Sequence, residues 1–183
     1  MHNHYRFAIA ALGAMTLAAP SPANAEILHF HAALTGKSEP DDTGSSATAE
    51  AKVRVDTVRR LVSVKMAVHG ITIDQLWKKL VAAPIGPVHF HEYKDDGSVV
   101  LALPLPYGAT YHATRDGFRI VSRDYDYAAG AKLLASALSF DDFVAAMKAS
   151  KVILNVHTDK FNPGEIGGKV ETDDESAPAS TGY

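Results

Sequence analysis

The sequence predicts an all-β protein with a few short helices, folded as an antiparallel β-sandwich or barrel. Three observations indicate this class. Much of the chain after residue 26 alternates apolar and polar residues, which is typical of strands with one face on a core. Turn-forming residues separate these runs at short intervals. Helical patterns occur in only a few places, whereas a parallel α/β fold needs a helix between successive strands.

The first 25 residues are expected to be a secretory signal peptide that is removed from the mature protein. Arg6 precedes an apolar run at 7–19, and Ala23-Asn24-Ala25 has the small-x-small pattern of a cleavage site. The run is shorter than the roughly 20 residues of a membrane-spanning helix, although a retained N-terminal anchor is the alternative. Cleavage would leave a periplasmic or secreted protein that starts at Glu26 and has no permanent membrane span.

Composition narrows the classes of function. The chain has 183 residues, and its 18 Lys and Arg against 21 Asp and Glu give a formal charge of −3, which argues against a nucleic-acid partner. Cysteine is absent, so there is no disulfide framework, thiolate metal site or cysteine nucleophile. No glycine-rich phosphate loop occurs in the sequence. Nine histidines are many for this length and are the main chemical clue.

The first half of the chain contains most of the clear strand patterns. Alternation predicts strands at 27–34, 47–55, 61–68, 88–93 and 98–103. The second and third of these form a hairpin around Asp56-Thr57, and Pro104 and Pro106 are expected to end the fifth. Residues 73–82 have the apolar spacing of a helix instead.

The second half of the chain is predicted to contain both helices and strands. Residues 107–125 carry many aromatic side chains and are expected to be an excursion that packs against the sheet, within an insertion at 104–137. Helices are predicted at 128–137 and 140–149, followed by strands at 151–156 and 165–170 around the turn Asn162-Pro163-Gly164. The acidic tail, 172–183, is expected to be disordered.

Three segments together resemble a known family. They are Leu34-Thr35-Gly36-Lys37-Ser38-Glu39-Pro40, then Val88-His89-Phe90-His91, then Asn155-Val156-His157-Thr158 leading to Asn162-Pro163-Gly164-Glu165-Ile166-Gly167-Gly168. This pattern is similar to the CHRD domain, the module named for chordin and also found in bacterial exported proteins. Gly167 departs from the pattern, since the family usually has arginine there.

The resemblance implies an extracytoplasmic all-β domain over 26–171, and we expect an immunoglobulin-like or superoxide-dismutase-like sandwich or barrel. It implies no reaction, because no catalytic set is assigned to the family. A binding or structural module with an unknown protein or envelope partner is therefore favoured over an enzyme.

Histidines suggest a transition-metal site. His89 and His91 lie two apart on a predicted strand, so both side chains leave one face, about 6 to 7 Å apart at Cα. Two imidazoles at that spacing can bind one ion, and His157 is the first candidate for the third ligand because the resemblance places its motif beside this strand. Copper or zinc would suit such ligands. The alternative is a structural role, in which His157 bonds a backbone carbonyl to hold its loop.

Secondary candidates for metal binding are the pair His29 and His31 and the loop carboxylate Glu39, which could instead brace a neighbouring strand. The run from His89 to Asp95 is also similar to the copper-binding run of copper/zinc superoxide dismutases, with His157 as the distant copper ligand. The chain lacks their cysteines, a clear zinc loop, and an arginine in the closing glycine-rich motif. A metal-dependent enzyme of this type and a purely structural envelope or surface-attachment domain are the two alternatives to a metal-binding module.

Overall fold

A computed structural model describes residues 26–37, 42–134 and 138–173, and these form a single antiparallel sheet with a few short helices. The predicted all-β class is confirmed. The predicted signal peptide and most of the acidic tail lie outside the described residues. The strands are β1 (Ile27–Thr35), β2 (Thr48–Asp56), β3 (Leu61–His69), β4 (Val88–Tyr93), β5 (Val99–Leu105), β6 (Tyr111–Ala113), β7 (Gly117–Asp126), β8 (Val152–Val156), β9 (Ile166–Lys169) and β10 (Glu171–Thr172).

The sheet curls into a half-barrel. Its strand order is β5-β4-β8-β9-β1-β2-β3-β7-β6, with β10 paired to β1. Curling brings the two edge strands together, since the hydroxyl of Tyr111 in β6 donates a hydrogen bond to the carbonyl of Leu105 in β5 over 2.8 Å. Tyr127, which follows β7, likewise donates to the carbonyl of Ala102 in β5 over 3.3 Å. One rolled sheet therefore encloses the core.

The core follows from the alternation that predicted the strands. Val53 of β2 lies between Phe30 of β1 and Val64 of β3, and all three are buried. The helix α3 (Phe140–Lys148) adds Phe143 to this core, and the Ser139 side chain caps its first turn. Burying each large apolar side chain stabilises the fold by roughly 1.5 to 3 kcal/mol.

The expectation for residues 107–125 was wrong. They form β6 and β7, and β7 pairs with β3 from Gly117 to Asp126. Inward residues such as Phe118 alternate with exposed ones such as Arg119, as in the other strands. A bulge interrupts the register near Asp124, whose φ is 47°, and this breaks the period of two that identifies a strand.

Smaller differences have local causes. Strand β5 continues through Pro104, which an edge strand tolerates because proline lacks only an outward N–H donor. The predicted helix at 73–82 is two short pieces, a 3₁₀ turn at Ile73–Gln75 and α1 at Lys78–Val81. Leu76 between them bridges to Thr158 instead of continuing the helix.

Two further segments also differ from the prediction, one at the end of the domain and one in a helix. Residues 171–172 form β10 on β1 and are ordered, although disorder was expected from 172 onward. The helix predicted at 128–137 is α2 (Tyr127–Ala131), and residues 135–137 lie outside the described part.

None of the helices in the described part has the length and apolar character that a membrane crossing requires.

Candidate metal centre

The pairing of β4 with β8 brings the three predicted histidines together. His89 lies opposite Asn155, and His91 lies opposite Ile153, in an antiparallel register. Opposite residues of such a pair share a face, so His157, two residues after Asn155, lies on the face of His89 and His91. The prediction that these histidines converge is confirmed: one ring nitrogen from each lies within 4.8 Å of the others.

This face of β4 and β8 is covered although it points away from the core. The backbone N–H of His157 donates to the carbonyl of Pro87 over 2.9 Å, and the N–H of Trp77 donates to the carbonyl of His157 over 3.0 Å. These bonds place Trp77 and Pro87 beside His157, and the ring of Trp77 lies with its centroid 6.5 Å from that of His157. His89 and His157 are only 3% and 5% exposed, whereas His91 is half-buried.

Burial keeps the rings uncharged. Desolvation, together with the neighbouring His157 and His91, lowers the pKa of His89 to about 2. Desolvation and His157 lower the pKa of His91 to about 4. Burial also lowers the pKa of His157, and its hydrogen bond to Asn162 only partly opposes this. All three rings are neutral at pH 7, which is the form that binds metals.

Backbone carbonyls fix the tautomers of two rings. His89 donates from Nδ1 to the carbonyl of Gly86 over 3.0 Å, and His157 donates from Nδ1 to the carbonyl of Asn162 over 2.8 Å. Because a carbonyl can only accept, the proton sits on Nδ1 and the lone pair on Nε2. Metal-binding histidines are oriented in this way by their second nitrogen. The contact with Asn162 also confirms the structural role expected for His157.

Unpartnered polar atoms concentrate at this cluster. Within the described ranges, the buried atoms His91 Nδ1, His157 Nε2 and Asn155 Oδ1 have no hydrogen-bond partner. A buried polar atom without a partner costs about 1 to 3 kcal/mol, so such atoms are rare unless an ion or water serves them. Asn155 was not predicted as a site residue. Its two-residue spacing from His157 was the signal that it shares the site.

The arrangement of the three rings shows how they would have to move to bind one ion. The rings of His89 and His157 stack with centroids 4.4 Å apart and an interplanar angle of 17°, whereas His91 meets His89 at 61° with centroids 4.6 Å apart. Nitrogens around one zinc or copper ion lie about 3 to 4 Å apart. Lone pairs in two nearly parallel planes cannot meet at one point. Binding therefore requires a contraction of about 1 Å and a tilt of the stacked pair.

The other candidate ligands are placed elsewhere or lie outside the described residues. His29 is exposed on β1, and His31 is held by Asp173, whose Oδ1 lies 2.7 Å from its Nδ1, so it fastens β10 to β1. Neither belongs to the group of His89. Glu39 lies outside the described residues. Glu165, at the start of the terminal hairpin, accepts hydrogen bonds from Ser45 and Thr158.

The resemblance to copper/zinc superoxide dismutases is met only in part. The three histidines that it implied as copper ligands are together. In the described ranges, however, the His89, His91 and His157 group is the only set of three or more histidine or carboxylate side chains spaced to hold an ion. The zinc site of those enzymes therefore has no counterpart there.

Comparison with known proteins agrees with the sequence motifs. The model of the CHRD domain family matches residues 30–170, which is most of the chain. The chain therefore belongs to the CHRD domain family. Searches of the curated proteins and of the solved structures found no significant match.

Proposed function

From membership of the CHRD family and from the geometry of the cluster, we propose that this protein is an exported binding module that holds one transition-metal ion through His89, His91 and His157. The observation that carries the proposal is the state of the ligand nitrogens. His157 Nε2 is buried without a partner among the described residues, and its tautomer leaves a lone pair on that atom. The ring of His89 has the same tautomer, and His89 belongs to the same group of three histidines.

The type of ligand atom in the cluster favours a borderline or soft metal ion. Three neutral imidazoles suit zinc and copper, whereas magnesium and calcium prefer oxygen ligands. The carbonyls of Gly86 and Asn162 would orient the rings, and the burial of His89 and His157 would exclude water from the ion. An ion bound there would join β4 to the loop after β8 and stabilise the half-barrel.

Metal analysis of tag-free protein tests the proposal. We expect one equivalent of zinc or copper per chain after loading and dialysis, together with a rise in the melting temperature, because a ligand of the native state stabilises it. His91→Ala and His157→Ala should each abolish the bound equivalent. His112→Ala is the matched control, since His112 is exposed on β6. Failure of zinc and copper to bind, with no change in melting temperature, would leave a structural module.

Export is a separate part of the proposal. It is supported by the apolar run at 7–19 and by the small residues before Glu26. Expression of the full chain in a Gram-negative host, followed by osmotic release and N-terminal sequencing, should give a periplasmic protein that starts at Glu26. Recovery of the uncleaved chain in the membrane fraction would instead indicate an anchor.

A further inference from the structure

The candidate metal centre has no compensating charge in the described part of the chain. Its three ligand groups are imidazoles, which bind metals in their neutral form, and no carboxylate belongs to the group. Glu165 is occupied by two hydroxyl groups. Glu92 is on β4, but its position alternates with His89 and His91, so it faces the opposite side and lines a cavity with Lys94 and Lys151. A bound ion would therefore keep its whole charge inside the protein.

Charge then determines which ion the centre can hold at least cost. The free energy of transferring an ion from water to a medium of low polarity grows with the square of its charge, so a divalent ion costs about four times as much as a monovalent one of similar size. His89 and His157 are almost inaccessible to water, which would otherwise reduce this cost. A neutral, buried ligand set therefore favours a monovalent ion.

The number and kind of donors point the same way. Zinc is almost always four-coordinate in structural sites, and copper in its divalent state prefers four or more donors in a tetragonal arrangement. Three histidine nitrogens are present, and the other unpartnered atom beside them is the hard amide oxygen of Asn155. Monovalent copper is stable with two or three nitrogen donors.

We infer that the centre formed by His89, His91 and His157 selects Cu(I) over Zn(II) and Cu(II). This inference rests on the proposed function, because it names the ion of the same site. It assigns the protein to the binding or transfer of reduced copper rather than to a structural zinc site.

Competition between ions tests the inference on the unmodified protein. Cu(I) is titrated without oxygen against a chromophoric Cu(I) chelator, and Zn(II) against a zinc chelator, at pH 7. We expect Cu(I) to bind at least a hundredfold more tightly, and a tenfold excess of Zn(II) not to displace it. Equal or tighter binding of Zn(II) would overturn the inference and leave the proposed function standing. Binding of neither ion would instead refute the proposed function.

A buried negative charge should weaken the preference for Cu(I). Asn155→Asp is nearly isosteric and places a carboxylate opposite His89, so the ratio of Cu(I) to Zn(II) affinity should fall at least tenfold. His112→Asp adds the same charge on the exposed side of β6 and should leave the ratio unchanged. An unchanged ratio in folded Asn155→Asp would refute the electrostatic argument. If circular dichroism shows this variant to be unfolded, the wild-type competition decides alone.

Glu39 lies outside the described residues, and a variant tests whether its carboxylate supplies a charge to the centre. If the centre is neutral, Glu39→Gln should bind Cu(I) and Zn(II) with unchanged affinities. A loss of Zn(II) affinity of tenfold or more in this variant would show that Glu39 supplies a charge to the centre, and it would overturn the inference.

Discussion

Acidification of the metal-free protein should destabilise it strongly because of the buried histidines. In the unfolded chain each ring takes up a proton near pH 6.5. In the folded protein the pKa of His89 is about 2 and that of His91 is about 4, so both rings stay neutral as the pH falls through this range. The unfolded state therefore binds more protons below pH 6.5, and the free energy of unfolding decreases as the pH falls.

The size of the effect follows from the two pKa values. Each ring that titrates only in the unfolded state removes about 1.4 kcal/mol per pH unit. Between pH 7 and pH 5 this amounts to about 2 kcal/mol for each of His89 and His91, or about 4 kcal/mol together. His157, whose pKa is also lowered, adds a loss of the same sign. Such a loss is a large fraction of the stability of a typical domain.

Urea unfolding at pH 7, 6, 5.5 and 5 in the presence of a chelator measures this loss. His91→Gln removes one titrating ring, and the Nδ1 atom of His91 has no partner in the described part that would be stranded, so its loss should be smaller by about 2 kcal/mol. His112→Gln should match the wild type, since His112 is exposed. A wild-type stability that changes by less than about 1 kcal/mol between pH 7 and 5 would refute the burial argument.

Three further predictions concern the fold. Phe90→Ala, on the core side of β4, should lower the free energy of unfolding by about 3 to 5 kcal/mol in urea; a loss below 1 kcal/mol would contradict the packing. Gly168→Ala should lower the melting temperature, because a Cβ atom there would overlap the carbonyl of Ala33; an unchanged value would contradict the close approach of β9 to β1. His31→Gln should cost less than about 1 kcal/mol in urea, because its pair with Asp173 is exposed, and a larger loss would show that β10 contributes more than expected.

Local patterns in the chain were sufficient to predict most strands. Strands β1, β2 and β3 keep a strict period of two, and a strand with one face on a core must alternate in this way. The common face of His89 and His91 follows from the same geometry. Strand β7 was missed because the bulge near Asp124 shifts the period within the strand. Strand β5 was predicted to end at Pro104 because its place at the sheet edge is invisible in the sequence.

Residue types and their spacing by themselves determined that His89 and His91 share a face, because alternation directs both side chains to one side of whatever sheet they join. Only the tertiary structure decided that His157 meets them, since the pairing of β4 with β8 joins segments far apart in the chain. It also decided that His89 and His157 are buried, on an outer face that alternation alone would leave in water. Burial removes the rings' charge and leaves their lone pairs unpartnered, and both effects depend on distant segments packing together.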